Sequence, residues 1–418
     1  MAPEAATATP YDGLRVVELA GDPAGEMTGA QFAHLGAAVI KVEPPGGAPS
    51  RHIGPWVGGI ADPDKSLAHW YYNGNKASVV LDLESREGRA SFDALVAGAD
   101  VLVSSLHPIE LRRLGIDLRA LSAARPDLVV VSVTPFGLTG PWAEYRSSDL
   151  VGLAASGLLN TSGYDDHSIP PIRPGGDQAY HSAASFAHIG ALLALIHRQR
   201  TGEGDLVDVA MHDSAAVTCE LANPYWFYPG ALVKRQTGRH AQPEPTQPAM
   251  FRCADGWIYF ALVLADQKPW LTLVDWLDSQ DLALDLTEPA YQDLAYRQDN
   301  FDHIQDAIEV FFLLQTAESA YREGQRRGLP IGIVNAPEDV LADEHLRARG
   351  FFVEVDHPGH GPVTHPGVPF RFSALAPAVL TPAARLGEHT EAVLAGLAPH
   401  RSRDQAAGDA TVDGAGTA

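Results

Sequence analysis

The chain has 418 residues, and 30 Lys+Arg set against 52 Asp+Glu leave a formal net charge of −22. Hydrophobic residues at 45% and charged residues at 20% are the composition of a folded chain of two or three domains, which excludes wholesale disorder. The charge repels phosphate backbones and anionic lipid, which argues against nucleic acid or a membrane surface as partner, although a few placed arginines can still hold a small anion.

Leu14 to Leu19 (LRVVEL) reads as a buried strand, Met27 to Gly36 as a helix and Ala38 to Glu43 (AVIKVE) as a second strand. Strand, helix and strand at this spacing form the parallel-sheet unit. Ser78 to Leu83 continues as a strand, Arg86 to Ala97 as a helix, and Asp100 to Ser104 and Leu128 to Thr134 as strands. This predicts an open α/β sheet whose ligands sit beyond the carboxyl ends of its strands. The loops starting near Ala20, Pro44, Ser104 and Pro135 are therefore the expected binding edge. Pro44 to Pro63 reads as a surface loop, Tyr180 to Gln199 as a long helix and Leu206 to Met211 as another strand. The character changes at Trp226, and Arg239 to Pro248 (RHAQPEPTQP) reads as a proline-rich break. Trp257 to Leu262 reads as a new strand of a smaller domain, and a mostly helical stretch follows to about Arg327. Ile331 to Asn335, Phe351 to Val355 and Phe370 to Phe372 read as further strands, and the small, polar tail from about His400 as disordered.

Familiar site motifs are missing. The turn Gly21-Asp22-Pro23-Ala24-Gly25-Glu26 lacks the spacing of a dinucleotide fingerprint, and Glu26 at a helix start would repel a pyrophosphate. No P-loop, H-E-x-x-H or G-x-S-x-G occurs. The seventeen histidines show no paired spacing backed by a carboxylate, so no metal is expected. Cys219 and Cys253 are too few for a disulfide scaffold. The opening MAPEAATATP does not have the regions of a secretory leader. The apolar stretch from Ala183 to Ile196 is interrupted by His188 and is too short to span a bilayer. A cytoplasmic enzyme without a membrane partner is expected.

Several segments, taken in order, carry a family resemblance: LRVVELAGDPAG, HLGAAVIKVEPPGG, NGNKASVVLDLESREGR, LRRLGIDLRAL, SVTPFGLTGP, DLVGLAASGLLNTSG, the Asp177 segment, RQRTGEGDLVDVAMHDS, GLPIGIVNAPEDVLADEHLRARGFF and LGEHTEAVL. Over residues 12 to 397 the chain resembles the class III CoA-transferases of the CaiB/BaiF type, which include formyl-CoA and carnitine CoA-transferases and α-methylacyl-CoA racemase. The resemblance implies an α/β fold with a Rossmann-like large domain built from both chain ends, a smaller inserted α+β domain, and two ring-like subunits interlocked as a homodimer. The expected division is a flexible 1–11, a large CoA-binding domain over 12–225, a small domain with linkers over 226–328, a return to the large domain over 329–398 and a tail over 399–418.

Asp177, in RPGGDQAY ahead of the long helix, reads from its position alone as a helix cap, although Tyr180 supplies no capping-box partner. The resemblance makes it the nucleophile of CoA transfer, through a mixed anhydride and an aspartyl-CoA thioester. Coenzyme A enters as substrate and product, with an acyl-CoA donor and a carboxylic acid acceptor. Arg113 matches the family arginine on CoA phosphate, a role suited to a guanidinium fork. Leu81, Asp82, Leu83 and Glu84, then Ser105, Leu106 and His107, then Thr134, Pro135, Phe136 and Gly137 match segments lining the CoA cleft. Asn75 and Lys76 fit either the family pattern or a structural turn, and Glu388 and His389 recur without an evident chemical role.

The sequence also departs from the family. Glu26 stands where many members have Pro, Pro23 where some have Gln, and Ser105-Leu106 where Asn-Phe is usual. No glycine run occurs near Arg239 to Pro248 to cover the reacting aspartate. A racemase of this fold would carry a histidine base where Ser148 stands, and serine cannot fill that role near neutral pH. His181, one turn beyond Asp177, is a substitute base in principle. CoA transfer is the expected activity; α-proton racemisation and a catalytically weak CoA-binding homologue are the alternatives.

Overall fold

Six short runs of branched apolar residues form one parallel sheet in the computed structural model, which describes residues 8–219, 222–261, 264–376 and 379–397. They are β1 (Arg15–Leu19), β2 (Ala38–Glu43), β3 (Lys76–Val80), β4 (Val101–Ser104), β5 (Val129–Thr134) and β6 (Leu206–Ala210). The order is β3-β2-β1-β4-β5-β6, with every neighbouring pair parallel. This is the doubly wound arrangement, and its strand order reverses between β1 and β4. β4 and β5 are buried along their whole length, as strands covered on both faces must be.

The helices of this unit are α1 (Pro23–Ala33), α2 (Leu67–Asn73), α3 (Arg86–Ala97), α4 (Pro108–Arg113), α5 (Leu118–Ala124), α6 (Asp149–Ala155), α7 (Gln178–Thr201) and α8 (Met211–Val217). Local chemistry sets their ends. Asp22 caps α1 ahead of Pro23, Ser85 caps α3, and Gly202 ends α7 in the left-handed region at φ 82°. α7 is 24 residues long and reaches the length and apolarity of a membrane-crossing helix, against the expectation of a segment too short to do so. Helical bonding continues through the polar residues at both ends of the apolar stretch. Its alanine face (Ala179, Ala183, Ala184, Ala187, Ala191) is buried, and the helix packs on α1 and β5.

The described residues divide into two units. One comprises the chain up to Ser156, Gly175–Val217 and the chain from Gly350; the other comprises Gly157–Pro174 and Thr218–Arg349. The second unit holds α9 (Ala222–Phe227), the hairpin of β7 (Lys234–Gln236) and β8 (Arg239–Gln242), and β9 (Met250–Arg252) and β10 (Trp257–Phe260). Helices α10 (Gln267–Asp278), α11 (Leu294–Asp299), α12 (Phe301–Leu313) and α13 (Ala317–Arg326) follow, then β11 (Ile331–Ile333), α14 (Pro337–Ala342) and α15 (Glu344–Ala348). Its core is aromatic, with Trp270, Trp276, Phe311 and Phe312 fully buried.

Several expectations change. β11 pairs antiparallel with β10, so the chain rejoins the large unit at Gly350 and not at 329. The break expected from Arg239 opens with a strand. β12 (Phe352–His357) pairs with β13 (Gly361–Pro366), while Phe370 to Phe372 is irregular backbone. α16 (Thr390–Ala395) follows, and the expected 399–418 tail lies outside the described residues.

Buried charge ties β1, β2 and β3 together. The Lys41 ammonium donates to Glu18 and Glu26, each at 2.8 Å, and Lys76 donates to Glu18 at 2.7 Å and to Asn73 at 2.9 Å. Arg51 grips Glu43 through Nε at 2.7 Å and Nη2 at 2.8 Å. Burial alone would push Glu43 up, but the Arg51 hydrogen bonds and the charges of Lys41 and Arg51 hold it down at about 2. Glu26 therefore points into the protein and not at the turn, which corrects its expected repulsion of a ligand there. Lys76 belongs to this cluster. Asn75, at φ 62°, takes the turn and binds Val379 O and Thr381 N. The Ser78 amide donates to His389 Nδ1, and Arg385 N donates to Glu388, so both residues of the LGEHT segment are structural.

Candidate active site

The order reversal places the loop after β1 beside the loop after β4. The Gly21 amide donates to Ser105 Oγ at 3.0 Å. Asp22 accepts from the Gly25 amide at 3.1 Å. Burial, opposed by the Gly25 hydrogen bond, pushes Asp22 up to about 6. Gly25 is required here, because a Cβ on it would stand 2.2 Å from Ser105 Oγ. Ser105 and Leu106, in place of the family's usual pair, thus fill the space between the two loops.

The other expected cleft residues divide by role. Leu81 is buried in the sheet core, so only its backbone faces a ligand edge. Asp82 accepts from the Glu84 amide at 3.0 Å and shapes the turn into α3. Glu84 ion-pairs with the exposed Arg113, which also holds Glu110 at 2.6 Å, so the loops after β3 and β4 meet through one guanidinium. His107 caps α4, accepting from Ile109 N at 3.3 Å, and its Nε2 reaches Tyr145 O at 3.2 Å. Thr134 is buried, and its hydroxyl has no hydrogen-bond partner among the described residues. Gly137 turns at φ 81°, after which the Leu138 amide reaches Asp208 at 3.0 Å. Phe136 lies edge-on to Trp142 and Tyr145, two exposed rings at this edge of the sheet that sequence reasoning did not single out.

Asp177 stands at the N-cap of α7, yet its side chain makes no capping hydrogen bond. The buried Asp149 takes that task from α6, accepting from the Ala179 amide at 2.8 Å. The cap reading of Asp177 therefore gives way: its carboxylate stands at the positive end of a 24-residue helix and makes no capping hydrogen bond. Gly176, at φ 75°, provides the bend before it. The hydroxyl of the buried Tyr72 of α2 contacts Nε2 of His181, one turn beyond Asp177, at 3.0 Å. Burial, then the negative charge of Asp177, raises the Tyr72 phenol above its ordinary range. Burial lowers His181 against the pull of Asp177 and Asp149. Burial, then the negative charges of Asp22, Asp149 and Asp177, raises the Tyr180 phenol above its ordinary range. Ser148 caps α6 on Val151 N at 3.4 Å, an engagement that fits a cap and not a base. Among the described residues no group of three or more His, Cys, Asp or Glu side chains is arranged to hold a metal.

A doubly wound sheet with carboxylates gathered where its strand order reverses is the framework of an α/β enzyme that takes its ligand beyond the strand ends. Residues 11–390 match the model of CoA-transferase family III, and the chain belongs to that family, the class III CoA-transferases. It is 35% identical over 390 residues to the succinyl-CoA:(R)-benzylsuccinate CoA-transferase subunit BbsE of Thauera aromatica, covering 92% of this chain and 93% of that one. It is 30% identical to the succinyl-CoA–D-citramalate CoA-transferase of Chloroflexus aurantiacus, covering 93% and 94%. Among solved structures, a CaiB/BaiF family protein from Brucella suis superposes with a TM-score of 0.80 at 27% identity, over 94% of this chain and 100% of that one.

Proposed function

We propose that this enzyme moves CoA from an acyl-CoA to a carboxylic acid through covalent intermediates on Asp177. Succinyl-CoA is the donor that the names of both relatives point to. The Asp177 carboxylate attacks the thioester carbonyl and expels CoA thiolate, leaving a mixed anhydride. The thiolate attacks the aspartyl carbonyl, forming an aspartyl-CoA thioester and releasing the first acid. The acceptor carboxylate then attacks that thioester, and the returning thiolate takes the new acyl group and restores Asp177. Each step exchanges one activated acyl bond for another, so water is a competitor and not a reactant.

The observation that carries this reading is the division of labour at the head of α7, where Asp149 caps the helix and Asp177 does not. The CoA cleft is proposed along the loops after β1, β3, β4 and β5, with Arg113 on a CoA phosphate. A homodimer is part of the proposal. Phe186, Ile189, Leu193 and Ile196 form an exposed apolar stripe on the outer face of α7, a surface suited to a second copy. Asp177→Asn tests the central step: acyl exchange is lost while CoA binding persists, and exchange near the normal rate refutes the assignment.

A further inference from the structure

We infer that Asp149 is a positioning residue for the transfer: by holding the Ala179 amide it keeps the Asp177 carboxylate from folding back to cap its own helix. The inference rests on the nucleophile reading above. The Asp177 carbonyl accepts the first bond of α7, from the His181 amide at 2.9 Å, which puts Asp177 at the N-cap position. An aspartate there ordinarily takes the amide two or three residues on. The amide two residues on is that of Ala179, and Asp149 already accepts from it at 2.8 Å. The Asp177 side chain makes no capping hydrogen bond. Two carboxylates thus compete for one donor, and the one from α6 has it.

Tight packing of α6 delivers that carboxylate. Ser148 caps α6 on the Val151 amide at 3.4 Å, which fixes Asp149 at the first helical position, where it is 4% exposed. Gly152 lies three residues on, on the same helix face. A Cβ on Gly152 would stand 3.3 Å from the Ala179 Cβ and 2.7 Å from Met211 Cε, so glycine lets α6 settle on the first turn of α7. Carboxylate and glycine therefore address one residue, Ala179, at its amide and at its methyl group.

The arrangement has a chemical consequence. A capping carboxylate gives a lone pair to a helix amide and turns over the helix end. A nucleophile must instead present an oxygen to the thioester carbonyl. Ala179 is fully buried, so its amide needs an acceptor in every state of the enzyme. An acylated Asp177 no longer carries the charge that a helix N-terminus favours, whereas Asp149 caps α7 unchanged through the whole cycle.

The test compares Asp149→Ala, Asp149→Asn, Asp177→Ala and the Asp149→Ala/Asp177→Ala double variant, with Asp177→Asn as the control for the nucleophile. A cap of ordinary strength would hold about five of six Asp149→Ala molecules with Asp177 bound to its own helix. Single-turnover formation of the aspartyl-CoA species from succinyl-CoA should therefore slow roughly fivefold in Asp149→Ala, while its CoA dissociation constant stays within about twofold. Asp149→Asn, whose amide oxygen still accepts, should recover most of the rate. Hydrogen exchange of the Ala179 amide reports the cap separately. Adding Asp177→Ala should leave that exchange unchanged in the wild type and speed it roughly fivefold in the Asp149→Ala background. If Asp177→Asn retains acyl transfer, the nucleophile reading itself fails. If Asp177→Asn is inactive while Asp149→Ala forms the species within about twofold of the wild-type rate, the positioning role fails and the nucleophile stands. Equal Ala179 exchange in Asp149→Ala and the double variant would overturn the competition for the cap. Should Asp149→Ala not fold, Asp149→Gln takes its place: its amide lies one carbon farther out, so a slower rate than in Asp149→Asn supports the role and equal rates overturn it.

Discussion

Replacing Gly25 with alanine should separate the two loops that meet where the strand order reverses. The new Cβ would stand 2.2 Å from Ser105 Oγ and 2.6 Å from Ser105 Cβ, so a serine buried to 3% exposure must move. It cannot move without losing the hydrogen bond from Gly21 N. Overpacking costs about 1–3 kcal/mol, and the lost hydrogen bond adds about 1 kcal/mol. Alanine's better helix propensity returns at most about 1 kcal/mol. A net loss of about 1–3 kcal/mol in urea unfolding is therefore expected, together with a raised KM for acyl-CoA, because the displaced loop is part of the proposed cleft. The Gly25→Ala/Ser105→Gly double variant removes both clashing atoms and should regain the overpacking cost, but not the hydrogen bond from Gly21, less roughly 0.5–1 kcal/mol for the second glycine's chain entropy. A Gly25→Ala protein as stable as wild type with an unchanged KM would refute this reasoning, and so would a double variant no better than the single.

Two further outcomes follow from the charges. Glu43 is held at about 2 against an ordinary 4.5, so its contribution of about 3 kcal/mol is complete above pH 4.5 and disappears as pH falls toward 2. Acid unfolding curves of wild type and Glu43→Gln should converge over that window, and parallel curves would count against the buried pair. Arg113→Ala should weaken CoA binding and raise the KM for acyl-CoA by roughly tenfold, near the lower end for a charge-assisted contact because Glu84 and Glu110 already occupy the guanidinium. A pantetheine thioester should lose much less, and equal losses would show that Arg113 acts through the fold.

The sheet was legible because buried parallel strands announce themselves as branched apolar runs: VVVSVT became β5 almost residue for residue, and AVIKVE became β2. The exchange of caps at α7 was not legible, because Asp149 and Ala179 are 30 positions apart and no local pattern links them. Tyr72 was hidden for the same reason. It belongs to an ordinary short helix, and only the packing of α2 near α7 brings its hydroxyl within 3.0 Å of His181 Nε2. Nothing in the sequence paired Lys41, Lys76 and Glu18, which lie on three different strands, and three-dimensional packing alone makes them a buried network. Ile331 to Ile333 misled the reading for a different cause. A short apolar run specifies a strand but not its partner, and here the partner is β10.

The covalent role of Asp177 is tested most directly by incubating the enzyme with succinyl-CoA in the absence of an acceptor acid, quenching in acid and mapping the peptides by mass spectrometry. The account predicts a CoA adduct on the peptide containing Asp177, localised to that side chain and discharged when an acceptor acid is added. Turnover without any adduct there, or with an adduct on a different residue, would contradict it.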